Sequence, residues 1–303
     1  MKMRLYLSIL LIFLCLLNCN AVLSQQQGKK KKENGSLMDN FSNVALKSMN
    51  VIPGNPSANS IILNILSPFA ASAVVEFGSD SNSLSQNSVS FILAAQQPFE
   101  LHIGQLKLAT RYYYRIKFRK EGDVHETITR IACFATQAVP GKSFVFGVQG
   151  DSHPERAGKM FNRELYNQTI DSVSFRNPDF YFMLGDDFSL DRLMNSGKLN
   201  QESVENIYKI QRNYWGDMGR NPALFLVNGN HEQAAKYLLN GNPDNFSVYA
   251  ANARKKYFSL PDTSGIYSGN PTPVEHIGLL KDYYAFEWGD ALFVTIDPYW
   301  HSE

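Results

Sequence analysis

Hydrophobic and polar positions follow two regimes along this chain. From about Asn43 to Gln137 the pattern is that of short strands: Ser60–Leu66, Ala73–Phe77, Phe99–Ile103 and the stretch running into Arg111–Ile116. Ser67-Pro68 and Gly78-Ser79-Asp80 punctuate them as turns, so the region predicts an antiparallel β-sandwich. After Pro140-Gly141 the pattern changes. Phe144–Val148, Phe180–Leu184 and Ala223–Val227 are short, nearly unbroken apolar runs, the signature of strands covered on both faces. Between them Lys159–Phe175 and Glu202–Tyr214 place apolar residues at helical spacing, and Asn177-Pro178 ends the first of these stretches. Strand, helix, strand, helix, strand predicts a parallel sheet whose right-handed crossovers bring three C-terminal strand ends to one rim. In open α/β sheets that rim is where ligands bind.

Each of the three runs closes on a glycine and then on side chains that bind metals. The first leads into Gly150-Asp151-Ser152-His153, the second into Gly185-Asp186-Asp187, and the third into Gly229-Asn230-His231-Glu232. Asp151, His153, Asp186 and Asn230 together offer carboxylate, imidazole and amide donors, a mixture suited to Mn, Fe or Zn better than to Ca. Two carboxylates and a histidine also suit a pair of ions, since one carboxylate bridges two metals. His231, beside Asn230, is placed to give a proton to a leaving group or to hold a phosphoryl oxygen. Ser152 is excluded as a triad nucleophile, because the adjacent Asp151 and His153 cannot adopt relay geometry with it.

The N-terminus adds a location. Lys2 and Arg4 precede an apolar stretch, Leu5–Leu17, and small residues follow at Ala21–Ser24, so residues 1–24 read as a secretory signal peptide. Cys19 supplies an alternative, a lipidated cysteine. The mature protein is expected to be secreted, periplasmic or held at the cell surface, with no transmembrane segment. Residues 25–42 form a polar linker in which Lys29–Lys32 read as a solvated spacer. Cys133 is then the single cysteine of the mature chain, which excludes an internal disulfide and leaves stability to packed cores. A net charge of +1 over 303 residues gives no signal for nucleic acid.

The three loop motifs, in this order and spacing, resemble those of the calcineurin-like metallophosphoesterases. The region before them resembles the fibronectin type III-like domain of the purple acid phosphatase branch, with Tyr112 as a tyrosine corner returning its hydroxyl to the backbone. The resemblance implies a β-sandwich at 43–138 and an α/β phosphoesterase domain of stacked sheets at 143–303. It also implies two divalent or trivalent ions, with Asp151 and His153 on the first metal, Asp186 bridging, and Asn230 on the second. His231 would be catalytic, supported from behind by Glu232 and Asp187. The substrate would be a phosphate mono- or diester, on a small molecule or a phosphorylated macromolecule.

Two departures qualify the resemblance. Ser189 stands where the purple enzymes carry an iron-binding tyrosine, which argues against the purple iron centre. The later histidines that complete the family's site have no counterpart here, because His276 and His301 lie in other contexts and read as surface residues. The chain therefore reads as an incomplete phosphoesterase domain, active in a longer form. The alternative is a degenerate fold serving as an extracytoplasmic binding module.

Overall fold

The computed structural model describes residues 46, 48–156, 161–195, 197–218, 222–232 and 239–297, which belong to one compact unit. The signal peptide, linker, Cys19 and His301 discussed above lie outside them.

The N-terminal part is built from two antiparallel sheets. Strands β1 (Asn50–Gly54), β2 (Ile61–Leu66) and β6 (Pro98–Ile103) form one, in the order β1-β2-β6. The other runs through β4 (Gln86–Asn87), β3 (Ala71–Gly78), β7 (Arg111–Lys120) and β8 (Thr127–Ile128), with β5 (Phe91–Leu93) on β3 and β9 (Ala132–Ala135) on β7. Along β7 the period-two pattern is plain: Tyr112, Tyr114, Ile116 and Phe118 are buried while Arg111, Tyr113, Arg115 and Lys117 are half-buried. Tyr112 makes the anticipated return, its hydroxyl accepting from the Lys107 N–H at 2.8 Å. Cys133 is buried, accepting from Arg111 Nη1 at 3.5 Å and donating to Asn177 Oδ1 at 4.0 Å, and burial pushes its thiol up.

The α/β part follows as β10 (Phe146–Gln149), α1 (Arg163–Arg176), β11 (Phe180–Met183), α2 (Asp191–Asn195), α3 (Gln201–Met218) and β12 (Ala223–Leu226). The strands pair in parallel in the order β10-β11-β12. Asn162 caps the start of α1 by accepting from the Leu165 N–H, and Asn177 ends that helix in the left-handed region at φ 47°. Helix α4 (Phe246–Tyr257) and a second sheet of β13 (Ser268–Gly269), β14 (Tyr284–Trp288) and β15 (Ala291–Thr295) complete the described chain.

Strand β11 shows why its sequence has no alternation. Phe180 and Phe182 join the core shared with the second sheet and the sandwich, whereas Tyr181 and Met183 join the core under the helices. On the first side aromatic rings interlock, with Phe225 stacked on Phe286 at 4.5 Å and Phe180 edge-on to Trp288 at 4.9 Å.

The two parts are joined by polar contacts as well as by that core. Arg111 on β7 pairs with Asp179 at 2.6 Å just ahead of β11. More unusual is Arg212 on α3, which is fully buried. It donates to the Asn50 side chain at 2.9 Å, to the Asn64 side chain at 2.8 Å and to the Tyr257 carbonyl at 2.8 Å. It also donates to the carbonyls of Asn64 at 3.0 Å and Asn50 at 3.5 Å. All these acceptors are neutral, so burial pulls the guanidinium down to about 9. The residue thus pins β1 and β2 of the sandwich to α3 and α4. Replacing it leaves several buried acceptors orphaned, each worth about 1–3 kcal/mol. Arg212→Met is accordingly expected to destabilise the fold by about 3 kcal/mol or more, read as a lower urea midpoint; an unchanged midpoint would refute the pin.

Candidate metal centre

Strands β10, β11 and β12 end in step. Gln149 lies opposite Met183, and Met183 opposite Leu226. The ladder continues one or two residues further, with Leu184 N–H donating to the Gln149 carbonyl, Asp151 N–H to Gly185 and Val227 N–H to Met183. The three motif loops therefore leave the sheet from the same rim, as the sequence pattern predicts.

Glycines let them come close. Gly185 has φ 90°, and a Cβ there would stand 2.0 Å from the Gly229 nitrogen. Side chains at Asp151, His153 and Asp186 also sit at positive φ, 58°, 41° and 53°. Such backbone conformations cost about 1–3 kcal/mol each and persist only where surrounding structure imposes them.

Glu232 is much of that structure. Its carboxylate is buried and accepts three backbone N–H bonds, from Asp186 at 2.8 Å, Asp187 at 2.7 Å and Gly229 at 2.9 Å. One side chain of the third loop thereby holds the backbone of the second. Asp186 returns the link, its Oδ1 accepting from the His231 N–H at 3.0 Å. Asp187 is also buried, takes the Ser152 hydroxyl at 3.0 Å, and its carbonyl accepts from Gln211. Burial raises Asp187 well above the usual carboxylate range, and the charge of Glu232 adds to it. Glu232 is itself raised by burial to about 7, although its backbone donors pull the other way. Three N–H donors support the charged form of Glu232, whereas the Ser152 hydroxyl alone supports that of Asp187.

Among the residues singled out in the sequence, His153, Asp186 and His231 come together: one ligand atom from each lies within 4.8 Å of the others. His153 is only 3% exposed, and its ring meets that of His231 edge-on at 5.1 Å. Asp151 stands differently, with a side chain 81% exposed and Oδ1 3.8 Å from His153 Nε2. Asn230 is half-buried in the turn between Gly229 and His231. Ser189 is buried, and its hydroxyl accepts from the Asp191 N–H at 3.2 Å, opening α2. His276 is exposed, as expected. His153 and Asp186 put an imidazole and a carboxylate on one rim, donors that fit a divalent transition-metal ion, with the His231 ring beside them.

Three neighbours of the centre were not anticipated. Asp191 and Arg156 both touch the His231 ring, and Gln211 on α3 reaches Asp187. Arg156 lies three residues beyond His153 and Asp191 five beyond Asp186, so proximity to the motifs was the one available signal.

The clamp has a direct test. A glutamine at 232 has one acceptor oxygen where the glutamate has two, leaving at least one backbone N–H facing an amide donor. Glu232→Gln should therefore lose about 1–3 kcal/mol of stability. Urea unfolding checks it, and a wild-type midpoint would remove Glu232 from this role.

Comparisons with known proteins agree with the geometry. No curated protein sequence matches the chain. In fold it is similar to the solved structure of PhoD, at 16% identity and a TM-score of 0.56, over 82% of this chain and 51% of that one. It is also similar to a purple acid phosphatase isolated from yellow lupin (Lupinus luteus) seeds, at 12% identity and a TM-score of 0.51, over 82% of this chain and 44% of the other. The chain thus spans about half the length of these neighbours. The sequence profile of the calcineurin-like phosphoesterases matches residues 144–300, just over half the chain and all three motif loops. The protein belongs to the calcineurin-like phosphoesterase family.

Proposed function

We infer that the rim centre belongs to a phosphoesterase that hydrolyses phosphate mono- or diesters with water activated by two metal ions. The observation that carries this reading is the convergence of His153, Asp186 and His231 at the ends of three parallel strands in a chain of this family. Asp151, His153, Asp186 and Asn230 would hold the ions, Asp186 being shared, with Mn, Fe or Zn the ions suited to these donors. When bound, such ions make a hydroxide-like nucleophile available near neutral pH and offset the charge of the phosphoryl group.

The chain's own residues do the rest. His231 gives its proton to the departing ester oxygen or hydrogen-bonds a phosphoryl oxygen. Asp187 and Glu232 keep the loops in place from beneath the site. The substrate is a phosphate ester on a small molecule or a phosphorylated macromolecule, met outside the cytoplasm if residues 1–24 are a signal peptide. Among the described residues no helix is long and apolar enough to cross a membrane.

Elemental analysis combined with p-nitrophenyl phosphate turnover tests the reading. The full-length protein is expected to carry metal and to turn over. Asp186→Asn should lose metal and at least about 100-fold in rate together, whereas His231→Ala should keep the metal and lose turnover. A protein that neither binds metal nor turns over would instead be a noncatalytic binding module on the same fold.

A further inference from the structure

A cavity of about 580 Å³ opens between the sandwich and the α/β part, a volume within the range of about 300–1,000 Å³ that suits small ligands. No residue of the three motif loops lines it. Asn50 of β1, Tyr114 of β7 and Arg130, which lies between β8 and β9, bound it from the sandwich. Asn167, Ile170 and Asp171 bound it from α1, where their spacing of three and four puts them on one helix face. That helix runs from the rim loops back toward the start of β11, so the cavity lies along the flank of the sheet and not at the rim.

Buried groups around it lack partners. Asn50 is 8% exposed, and Arg212 donates to its Oδ1 at 2.9 Å. A guanidinium only donates, so this contact fixes which end of the amide is oxygen and leaves the NH2 end, with its two donors, unpaired among the described residues. Tyr114 is 2% exposed, and its hydroxyl has no hydrogen-bond partner. Native structures leave few buried polar groups unpaired, and such groups mark a place for water, an ion or a ligand. Charge adds a second observation. Arg130 and Asp171 are exposed, one a cation and one an anion, and among the described residues neither side chain forms an ion pair or hydrogen bond, with each other or with a third group.

We propose that this cavity binds a short zwitterionic peptide, a di- or tripeptide with free termini and apolar side chains. Arg130 takes the terminal carboxylate, to which a guanidinium donates bidentately, and Asp171 takes the terminal ammonium. Peptide carbonyls accept from the Asn50 NH2 group, and the half-buried Met49 and Val51 with Ile170 offer apolar surface to the side chains. The class follows from the charges. A neutral sugar leaves both of them unmatched, and an anionic ester meets Asp171 as a like charge. A single amino acid carries its two charges on one carbon, whereas Arg130 and Asp171 come from different elements and stand too far apart to pair. The site is separate from the rim centre, so the proposal does not depend on the phosphoesterase reading.

Isothermal titration calorimetry of the full-length protein with dileucine, alanyl-phenylalanine and trialanine tests this, with cellobiose as a neutral control. One or more of the peptides is expected to bind one-to-one, and to bind equally after treatment with EDTA. Capping the carboxylate of the best peptide as an amide should weaken it about tenfold, the low end for a hydrogen bond to a charged group because the site is open to water. Arg130→Met should weaken the free peptide by the same factor and leave the amide-capped peptide unchanged. Asp171→Asn should behave in the same way toward the free and the N-acetylated peptide. Both substitutions are on exposed side chains, so both variants should keep the wild-type urea midpoint. No binding by any of the three peptides overturns the proposal, as does equal affinity for a peptide capped at both ends or unchanged affinity in both variants. Binding abolished by EDTA would place the peptide at the rim and overturn it as well, and binding of cellobiose alone would make the cavity a saccharide site.

Discussion

The rim centre depends on a buried carboxylate with no charged partner. Glu232 satisfies three backbone N–H groups drawn from two loops, and those loops would otherwise have to satisfy them with water. A carboxylate is suited to this because each oxygen accepts more than one bond, and bonds to an ionised acceptor are about twice as strong as neutral ones. The arrangement is asymmetric in consequence. Glu232 belongs to the third loop, yet two of its three donors are in the second, so the spacing between Asp186 and His231 is set by a residue that itself sits below the surface. The His231 N–H on Asp186 closes the same circuit from the other direction.

A comparable device works at larger scale between the sandwich and the α/β part. Arg212 is a buried cation whose acceptors are all neutral, drawn from β1, β2 and the end of α4. Desolvation makes this costly, and the cost is offset because the acceptors it meets are themselves buried away from water. The sheet end that carries the centre is thereby held between helices that cannot slide against the sandwich without breaking several buried bonds at once. Phe180, Phe182, Phe225 and Phe286 do the complementary apolar work on the other side of the sheet.

Much of this was readable in the chain itself, and the reasons differ by residue. Phe180–Met183 is legible because a parallel strand must be apolar on both faces, and Asp186 because a metal-capable side chain directly after such a strand has few structural explanations. Tyr112 was legible through its place at the entry of β7. Glu232 was visible as a neighbour of His231, but its partners are backbone N–H groups, which leave no trace in a sequence. Arg212 reads as one more polar residue on a helix; its neutral acceptors, Asn50 and Asn64, lie some 150 residues away. Arg156 and Asp191 were missed because each meets His231 across loops, a contact created by the tertiary fold. Asp151 shows the converse limit. Its motif is clear, while the direction of its side chain is decided by a left-handed backbone that no residue type announces.

That left-handed backbone links stability to binding. Asp151, His153 and Asp186 adopt it together, in a region where burial and neighbouring carboxylates already raise Asp187 and Glu232. Strain and like charge both oppose the folded loops, and positive charge among the carboxylates offsets the second of these. Any cation that binds this rim in the folded state and not in the unfolded chain stabilises the fold in proportion to the logarithm of its occupancy. The geometry needed for binding is thus one that the fold holds against strain and like charge and that a bound cation reinforces. Glu232 and Arg212 keep that geometry from relaxing in the meantime, the first from beneath the loops and the second by fixing the sheet that carries them.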